Sequence, residues 1–324
     1  MIKRIIIIGL IFLPVFIVNA YAQFAPVGTA GAQFLQIALG ARPVGLGAAF
    51  TAMADDALSI YWNPAGLVRV EGHDLLTNYV PYFEGISYQS IAYAHNFGTF
   101  MGVIGLHLSL LSTGKMEVTT VYEQEGTGEF FSAQDMAGGI SYARWLTDRF
   151  SIGGNIKFLR ERYWTYTASG WALDIGTIYQ TEFRSLRLGM CILNFGPELK
   201  FTGKYIDYSE EKQEKEFKPY ALPMTFKVGI AMDIVKDASH HIVGAFDGVH
   251  TNDNIEAFNL GIEYWYTDIL ALRAGYRINY DEGGLTTGLG FRYALGTAVA
   301  KLDYAFDDMG RLGIVHRVSF GLGF

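Results

Sequence analysis

The sequence predicts an all-β fold: a transmembrane β-barrel of about 14 antiparallel strands, with a small N-terminal hatch, helical or irregular, inside its lumen. Three observations predict it. The composition is poor in charge and rich in glycine and aromatics. A period-two alternation runs through most of the chain. The connections between alternating segments are short and long in turn.

Of 324 residues, 50% are hydrophobic and 15% aromatic, but only 18% are charged, against about 25% in ordinary soluble domains. Glycine supplies 38 residues, well above its usual share of about 7%. Intrinsic disorder is excluded, because it needs few aromatics and much charge. A coiled coil is excluded by the scarcity of charged heptads. Cys191 is the only cysteine, so no disulfide framework exists. A net charge of −7 gives no basic footprint for nucleic acid.

The chain opens with an address. Lys3 and Arg4 precede an apolar run from Ile5 to Val18, and Ala20-Tyr21-Ala22 ends in small residues. This is the three-part form of a secretory signal peptide over residues 1–22, cut before Gln23. A spanning helix needs about 20 apolar residues, and Pro14 interrupts this shorter run. Any further membrane contact falls to strands.

Residues 23–72 do not alternate. About 50 residues here carry Phe34, Leu35, Ile37, Leu39, Phe50, Met53 and Trp62. Ala30 to Leu39 is expected to form a short helix. Asp55 or Asp56 is expected to cap another that runs to about Trp62. Asn63, Pro64, Ala65 and Gly66 read as a turn. A 14-stranded barrel is too wide for wall side chains to fill, so this segment is expected to fold into the lumen as a plug.

From residue 73 the chain alternates. Leu270, Leu272, Ala274, Tyr276 and Ile278 share one face, and Ala271, Arg273, Gly275 and Arg277 share the other. Successive strand side chains point to opposite faces, so one face is greasy and the other small or polar. A soluble sandwich would carry a densely charged solvent face instead. The greasy face ends in aromatics: Tyr264, Tyr266, Tyr276, Tyr280, Tyr293 and Tyr304. An apolar band with aromatic girdles and a polar interior is what lipid requires of a closed barrel.

Strands are expected at 73–81, 87–96, 99–112, 133–144, 150–162, 168–181, 185–195, 223–235, 240–249, 256–267, 269–280, 285–295, 297–307 and 311–324. The count is even, as in bacterial single-chain barrels. With both chain ends placed in the periplasm, turns after even strands should be short and the others longer. Phe97-Gly98, Thr267-Asp268 and Leu295-Gly296 fit the first group. The connections 113–132 and 196–222 fit the second. Gly138-Gly139 and Gly153-Gly154 are candidate inward kinks.

The last segment places Phe320, Leu322 and the terminal Phe324 on one face. Alternation running to a C-terminal aromatic looks like the signal read by the barrel-assembly machinery of outer membranes. Residence in the outer membrane of a Gram-negative bacterium follows, with lipid and lipopolysaccharide around a monomeric barrel. Glu263, Arg273, Arg277, Arg292, Asp303 and Arg317 fall on the lumen face. They are expected to bond to the plug and to each other, since buried charges need partners; a selectivity ladder is the alternative.

No chemistry of catalysis stands out, and no cofactor or metal is expected. The seven His are scattered, and His240-His241 face opposite ways on a strand. Cys191 has no local base. The run of mixed charge within 196–222 is expected to be a solvated surface loop.

The stretch GAQFLQIALGARPVGLGAAFTAMADDALSIYWNPAGL resembles the amino-terminal signature of the PorV/PorQ family, which is similar to the larger family of FadL-type outer-membrane barrels. The pieces that carry it are FLQIALGAR, GLGAAF and DDALSIYWNPAGL. The resemblance implies a monomeric barrel with an inward-folded hatch, and a non-enzymatic role in type IX protein secretion, with translocon subunits or exported cargo as partners. The FadL side implies a channel for hydrophobic small molecules, and a closed structural barrel is a third reading. The chain shows no long hydrophobic outer loop, which favours the first.

Overall fold

The computed structural model describes residues 27–207 and 213–324. The expected signal peptide, residues 1–22, lies outside the described residues. Fourteen strands form the wall: β1 (His73–Pro81), β2 (Ser87–Asn96), β3 (Val103–Ser112), β4 (Ala133–Thr147), β5 (Phe150–Tyr163), β6 (Tyr166–Gln180) and β7 (Arg187–Phe195). They continue as β8 (Thr225–Lys236), β9 (His240–Thr251), β10 (Ala257–Tyr266), β11 (Leu270–Ile278), β12 (Leu285–Leu295), β13 (Ala298–Asp308) and β14 (Ile314–Gly323). Each pairs antiparallel with the next, and β14 returns to β1, with Asp74 opposite Gly323. Closure leaves no strand at an open edge, as a wall in lipid requires, though β6 runs beyond its pairing with β7, which covers only Leu173–Gln180. His73 and Phe324 complete the seam, each backbone N–H donating to the other's carbonyl at 2.7 and 3.0 Å.

The alternation reads directly as geometry. On β11, Leu270, Leu272 and Tyr276 face outward and are exposed, while Ala271, Arg273 and Gly275 face inward and are buried. Outward aromatics gather toward both rims. Tyr142, Tyr266 and Tyr293 lie toward one rim, and Tyr79, Trp171 and Tyr276 toward the other. This is the lipid-facing band with its two girdles.

The expected parity holds only in part: the two longest connections follow odd strands, but those after β1, β9 and β13, at five residues each, are no longer than those after β2 and β6, at six. Those after β2, β4, β6, β8, β10 and β12 are short. The two longest, after β3 and β7, each fold back as a small ribbon: Met116–Glu117 on Phe130–Phe131, and Lys204–Asp207 on Gln213–Glu216. The largest departure is the tight turn between β5 and β6, where Tyr163 pairs with Tyr166 because both strands extend further than alternation alone marks. The mixed-charge run falls partly outside the described residues; its described part is exposed ribbon.

Three expectations are corrected. Ala30–Leu39 is not a helix. Only Gln33–Gln36 makes a 3-10 turn, bounded by Ala32 at φ 50° and Gly40 at φ 91°, and such left-handed residues break a helix. Gly138-Gly139 and Gly153-Gly154 do not kink the wall, since strand pairing runs unbroken through all four. Tyr280 is not part of the outer girdle. Asn279 at φ 63° ends β11 and reverses the alternation, so Tyr280 lines the inner cavity with Arg277 5.8 Å over its ring.

Residues 27–72 fill the lumen. From Leu39 to Val70 every residue except Asp55, Tyr61 and Arg69 is buried. Leu46, Phe50, Met53, Leu58, Ile60, Trp62 and Leu67 pack with wall residues Leu76, Ala92, Ala94, Val103, Ala143 and Ala231 in one apolar cluster. The segment starts at the long-loop end, where Gly28 N–H donates to Asp253 O at 3.2 Å and Gly31 N–H to Ala221 O at 3.0 Å. It reaches the short-turn end at Gly72, whose carbonyl accepts from Asn96 N–H at 2.8 Å. Phe324 stands at that same end. The amino terminus itself lies outside the described residues.

Candidate functional site

The site is the contact between this inner segment and the wall. Its first element is a track of lumen-facing glycines. A Cβ on Gly153 would stand 2.4 Å from Pro64 C, and one on Gly176 2.0 Å from Asn63 Oδ1. One on Gly189 would stand 2.6 Å from Thr51 O, one on Gly261 2.5 Å from Leu46 O, and one on Gly275 1.9 Å from Gly47 N. These glycines lie on β5, β6, β7, β10 and β11; four of them let hatch backbone lie flat on the wall, and Gly176 makes room for the Asn63 side chain. Hatch and wall are therefore joined at backbone distance around much of the circumference.

The second element satisfies the hatch's stray backbone donors, which a non-helical buried segment must do. Asp247 on β9 accepts from Phe50 and Thr51 N–H, both at 2.9 Å. Asp74 on β1 accepts from Ala57 N–H at 2.9 Å, Thr286 on β12 from Gly47 N–H at 2.9 Å, and Ser319 on β14 from Ala41 N–H at 2.7 Å. Asn63 opens the turn Pro64–Arg69. Its Oδ1 accepts from Ala65 N–H at 3.2 Å, and its amide donates to Thr51 O at 2.9 Å and to Thr177 O on β6 at 3.2 Å. Gly66 has no room for a side chain, since a Cβ would stand 2.5 Å from Ala54 O. Trp62 is buried and donates to Leu39 O at 2.9 Å.

The third element is ionic. Arg42, in the short helix Ala41–Gly45, donates to Glu263 Oε1 at 2.9 Å and Oε2 at 3.0 Å. The same guanidinium reaches Asp55 at 2.5 Å and Asp56 at 3.2 Å. Glu263 Oε1 also accepts from Arg273 Nε at 2.7 Å, and Arg273 reaches Asp303 at 2.6 Å. Asp56 additionally caps the turn before Ser59–Trp62, accepting from Leu58 N–H at 2.9 Å. Burial pushes the Asp56 carboxyl up to about 6 against the pull of Arg42. Asp55 is spent on Arg42 rather than on a cap.

The remaining charged residues singled out from the sequence divide. Arg317 donates to Asp307 at 2.9 Å and to Ala38 O at 2.6 Å, and Arg277 pairs with the other oxygen of Asp307. Among the described residues Arg292 has no carboxylate in ion-pair contact, and its guanidinium lies 4.0 Å over the Trp265 ring. Of the seam residues, Phe320 is exposed outward on β14, Leu322 shares its face, and Phe324 stacks on His73 at 4.7 Å. Arg42 was missed in the sequence because nothing around it is periodic. So were Lys157 and Asp174, which pair at 2.9 Å on β5 and β6; charges on two successive inward strand faces were the available signal. Cys191 is buried, its thiol donating to Trp62 O at 3.2 Å.

Two spaces flank the hatch. At the long-loop end a cavity of about 420 Å³ lies between residues 33–39 and the wall, with Leu35, Ile37, Tyr61, Trp62 and Lys227 among its lining. Lys227 Nζ stands 4.5 Å over the Trp62 ring. At the short-turn end a vestibule of about 1020 Å³ opens below Arg69. Among the described residues, no group of three or more His, Cys, Asp or Glu is placed to hold a metal.

The family model described as type IX secretion system protein PorV matches residues 21–250. No curated protein matches the chain. Solved structures share the fold at low identity. The toluene transporter TbuX of Ralstonia pickettii is 12% identical with a TM-score of 0.57, covering 88% of this chain and 97% of that one. The toluene transporter TodX of Pseudomonas putida is 12% identical with a TM-score of 0.56, covering 86% and 97%. A FadL homologue of Pseudomonas aeruginosa is 11% identical with a TM-score of 0.54, covering 87% and 97%.

Proposed function

The chain belongs to the PorV family of type IX secretion system proteins, an outer-membrane barrel, and we propose that it works there as a stoppered, non-enzymatic platform rather than a conduit. The family match over most of the chain carries this reading. The backbone contact between hatch and glycine track supports the stoppered part, because a segment bonded to six or more strands has no loose side on which to swing. On this reading the outer ribbons, with the exposed aromatic Phe130 in one of them and Trp164 beside it, are the surface that meets translocon subunits or exported cargo. Insertion is by the barrel-assembly machinery reading Phe320, Leu322 and Phe324, and lipid and lipopolysaccharide surround the outer band.

The test is affinity capture of the tagged protein from solubilised outer membranes of its own host. Translocon subunits or secreted cargo should co-purify, and deletion should leave cargo in the periplasm. Normal surface delivery after deletion would overturn the proposal.

A second reading, passage of hydrophobic small molecules, is favoured by one observation: the half-apolar cavity of about 420 Å³ beside Leu35 and Ile37. Loss of hydrophobic-solute uptake on deletion, with secretion intact, would select it.

A further inference from the structure

The vestibule at the short-turn end is lined by six arginine and lysine side chains and five carboxylates, and one of its guanidinium groups has no carboxylate bonded to it among the described residues. Arg69 closes the hatch turn and lines this space. Both of its Nη atoms are buried and lack a hydrogen-bond partner. Arg187 on β7 lines the same space, and its Nε is likewise buried and unpartnered. Arg187 reaches Asp233 at 3.3 Å, but Asp233 also faces His241 at 3.3 Å. Arg42, Arg184, Arg292 and Lys301 complete the positive lining; Arg42 and Lys301 are paired with Asp55 and Asp74, and Arg292 lies over the Trp265 ring. Burial, and then the like charge of Arg187, push Arg69 down to about 10. An acidic chain of net charge −7 thus keeps a guanidinium with two unpartnered nitrogens beside this space, with Asp55 and Asp233 acting on it only from a distance. Such a group is costly unless an anion completes it.

We propose that Arg69 and Arg187 form a carboxylate-binding site for an acidic peptide segment entering from the periplasm. Short turns face the periplasm in outer-membrane barrels, which sets the side of entry. The planar guanidinium fork matches a carboxylate with two parallel hydrogen bonds. Asp55, Asp56, Glu71, Asp74 and Asp233 stand on the same walls. They repel a multiply charged phosphate more than a single carboxylate, which selects the peptide. The site belongs to the vestibule and holds whichever role the barrel has in secretion.

The test uses the full mature protein in detergent micelles and fluorescence anisotropy of a labelled glycine peptide carrying one glutamate, with the same peptide carrying lysine in its place as the control. Binding is expected, weakening as salt rises. It should fall at least tenfold in Arg69→Gln and in Arg187→Gln, and partly return in Arg69→Lys. The lysine control peptide should not bind. Arg69→Gln should unfold no more readily than the parent, since it removes an unpaired charge. Absence of binding, or equal binding by Arg69→Gln and Arg187→Gln, would overturn the assignment. Displacement of the peptide by inorganic phosphate at lower concentration than by acetate would also overturn it, in favour of a phosphate ligand.

Discussion

Glu263 takes both of its oxygens to Arg42, at 2.9 and 3.0 Å, across 221 residues of sequence. A wall carboxylate and a hatch guanidinium thus form a bidentate pair in the middle of the barrel, with Arg273 bonded to the same carboxylate from β11. Breaking one partner of a buried pair strands the others, at about 3–5 kcal/mol. Glu263→Gln should therefore lower resistance to urea unfolding in detergent by that amount, and Glu263→Leu with Arg42→Met should recover part of it. An unchanged midpoint in Glu263→Gln would show that the pair does not hold the hatch.

That pair also marks how far the sequence could be read. The wall was legible because lipid outside and a packed lumen inside impose opposite demands on alternate residues, as Leu272 and Arg273 show. The hatch was legible only as apolar residues needing cover. Its path depends on left-handed turns at Ala32 and Gly40 and on the fit of Gly153, Gly176 and Gly275 to single hatch atoms, none of which has a local period. Glu263 was recognisable as inward-facing, but its partner was not, because contact between residues so far apart is set by the whole fold. Asn63-Pro64-Ala65-Gly66 read as a turn; that its asparagine also bonds β6 needed the structure.

Lys157 and Asp174 make a second such pair on the wall alone. Lys157 Nζ lies 2.9 Å from both Asp174 oxygens and 2.6 Å from Asn194 Oδ1. Lys157→Met should leave Asp174 uncompensated and cost about 3–5 kcal/mol, read as a lower urea midpoint, with Asp174→Asn in the same chain restoring part. This loss should be independent of the hatch pair and add to that of Glu263→Gln, because the residues share no partner.

The seam offers a prediction about assembly. Phe324 bonds His73 through the backbone and stacks on its ring. Deleting Phe324 should lower the yield of folded barrel in the outer membrane several-fold, while refolding of the purified chain into detergent micelles should change little. Equal losses in both measurements would assign Phe324 to stability rather than to recognition by the assembly machinery.

The central claim is that residues 27–72 sit seated against the lumen wall, and the lone thiol reports it. Cys191 lies beneath Trp62 and touches its carbonyl, so reagent reaches it only if the hatch lifts. The most direct measurement is the rate of maleimide labelling of Cys191 in native outer membranes. It is compared with a Gly176→Leu variant, whose side chain must displace Asn63. The parent protein should stay unlabelled over hours and the variant should label within minutes. Rapid labelling of the parent would contradict a seated hatch.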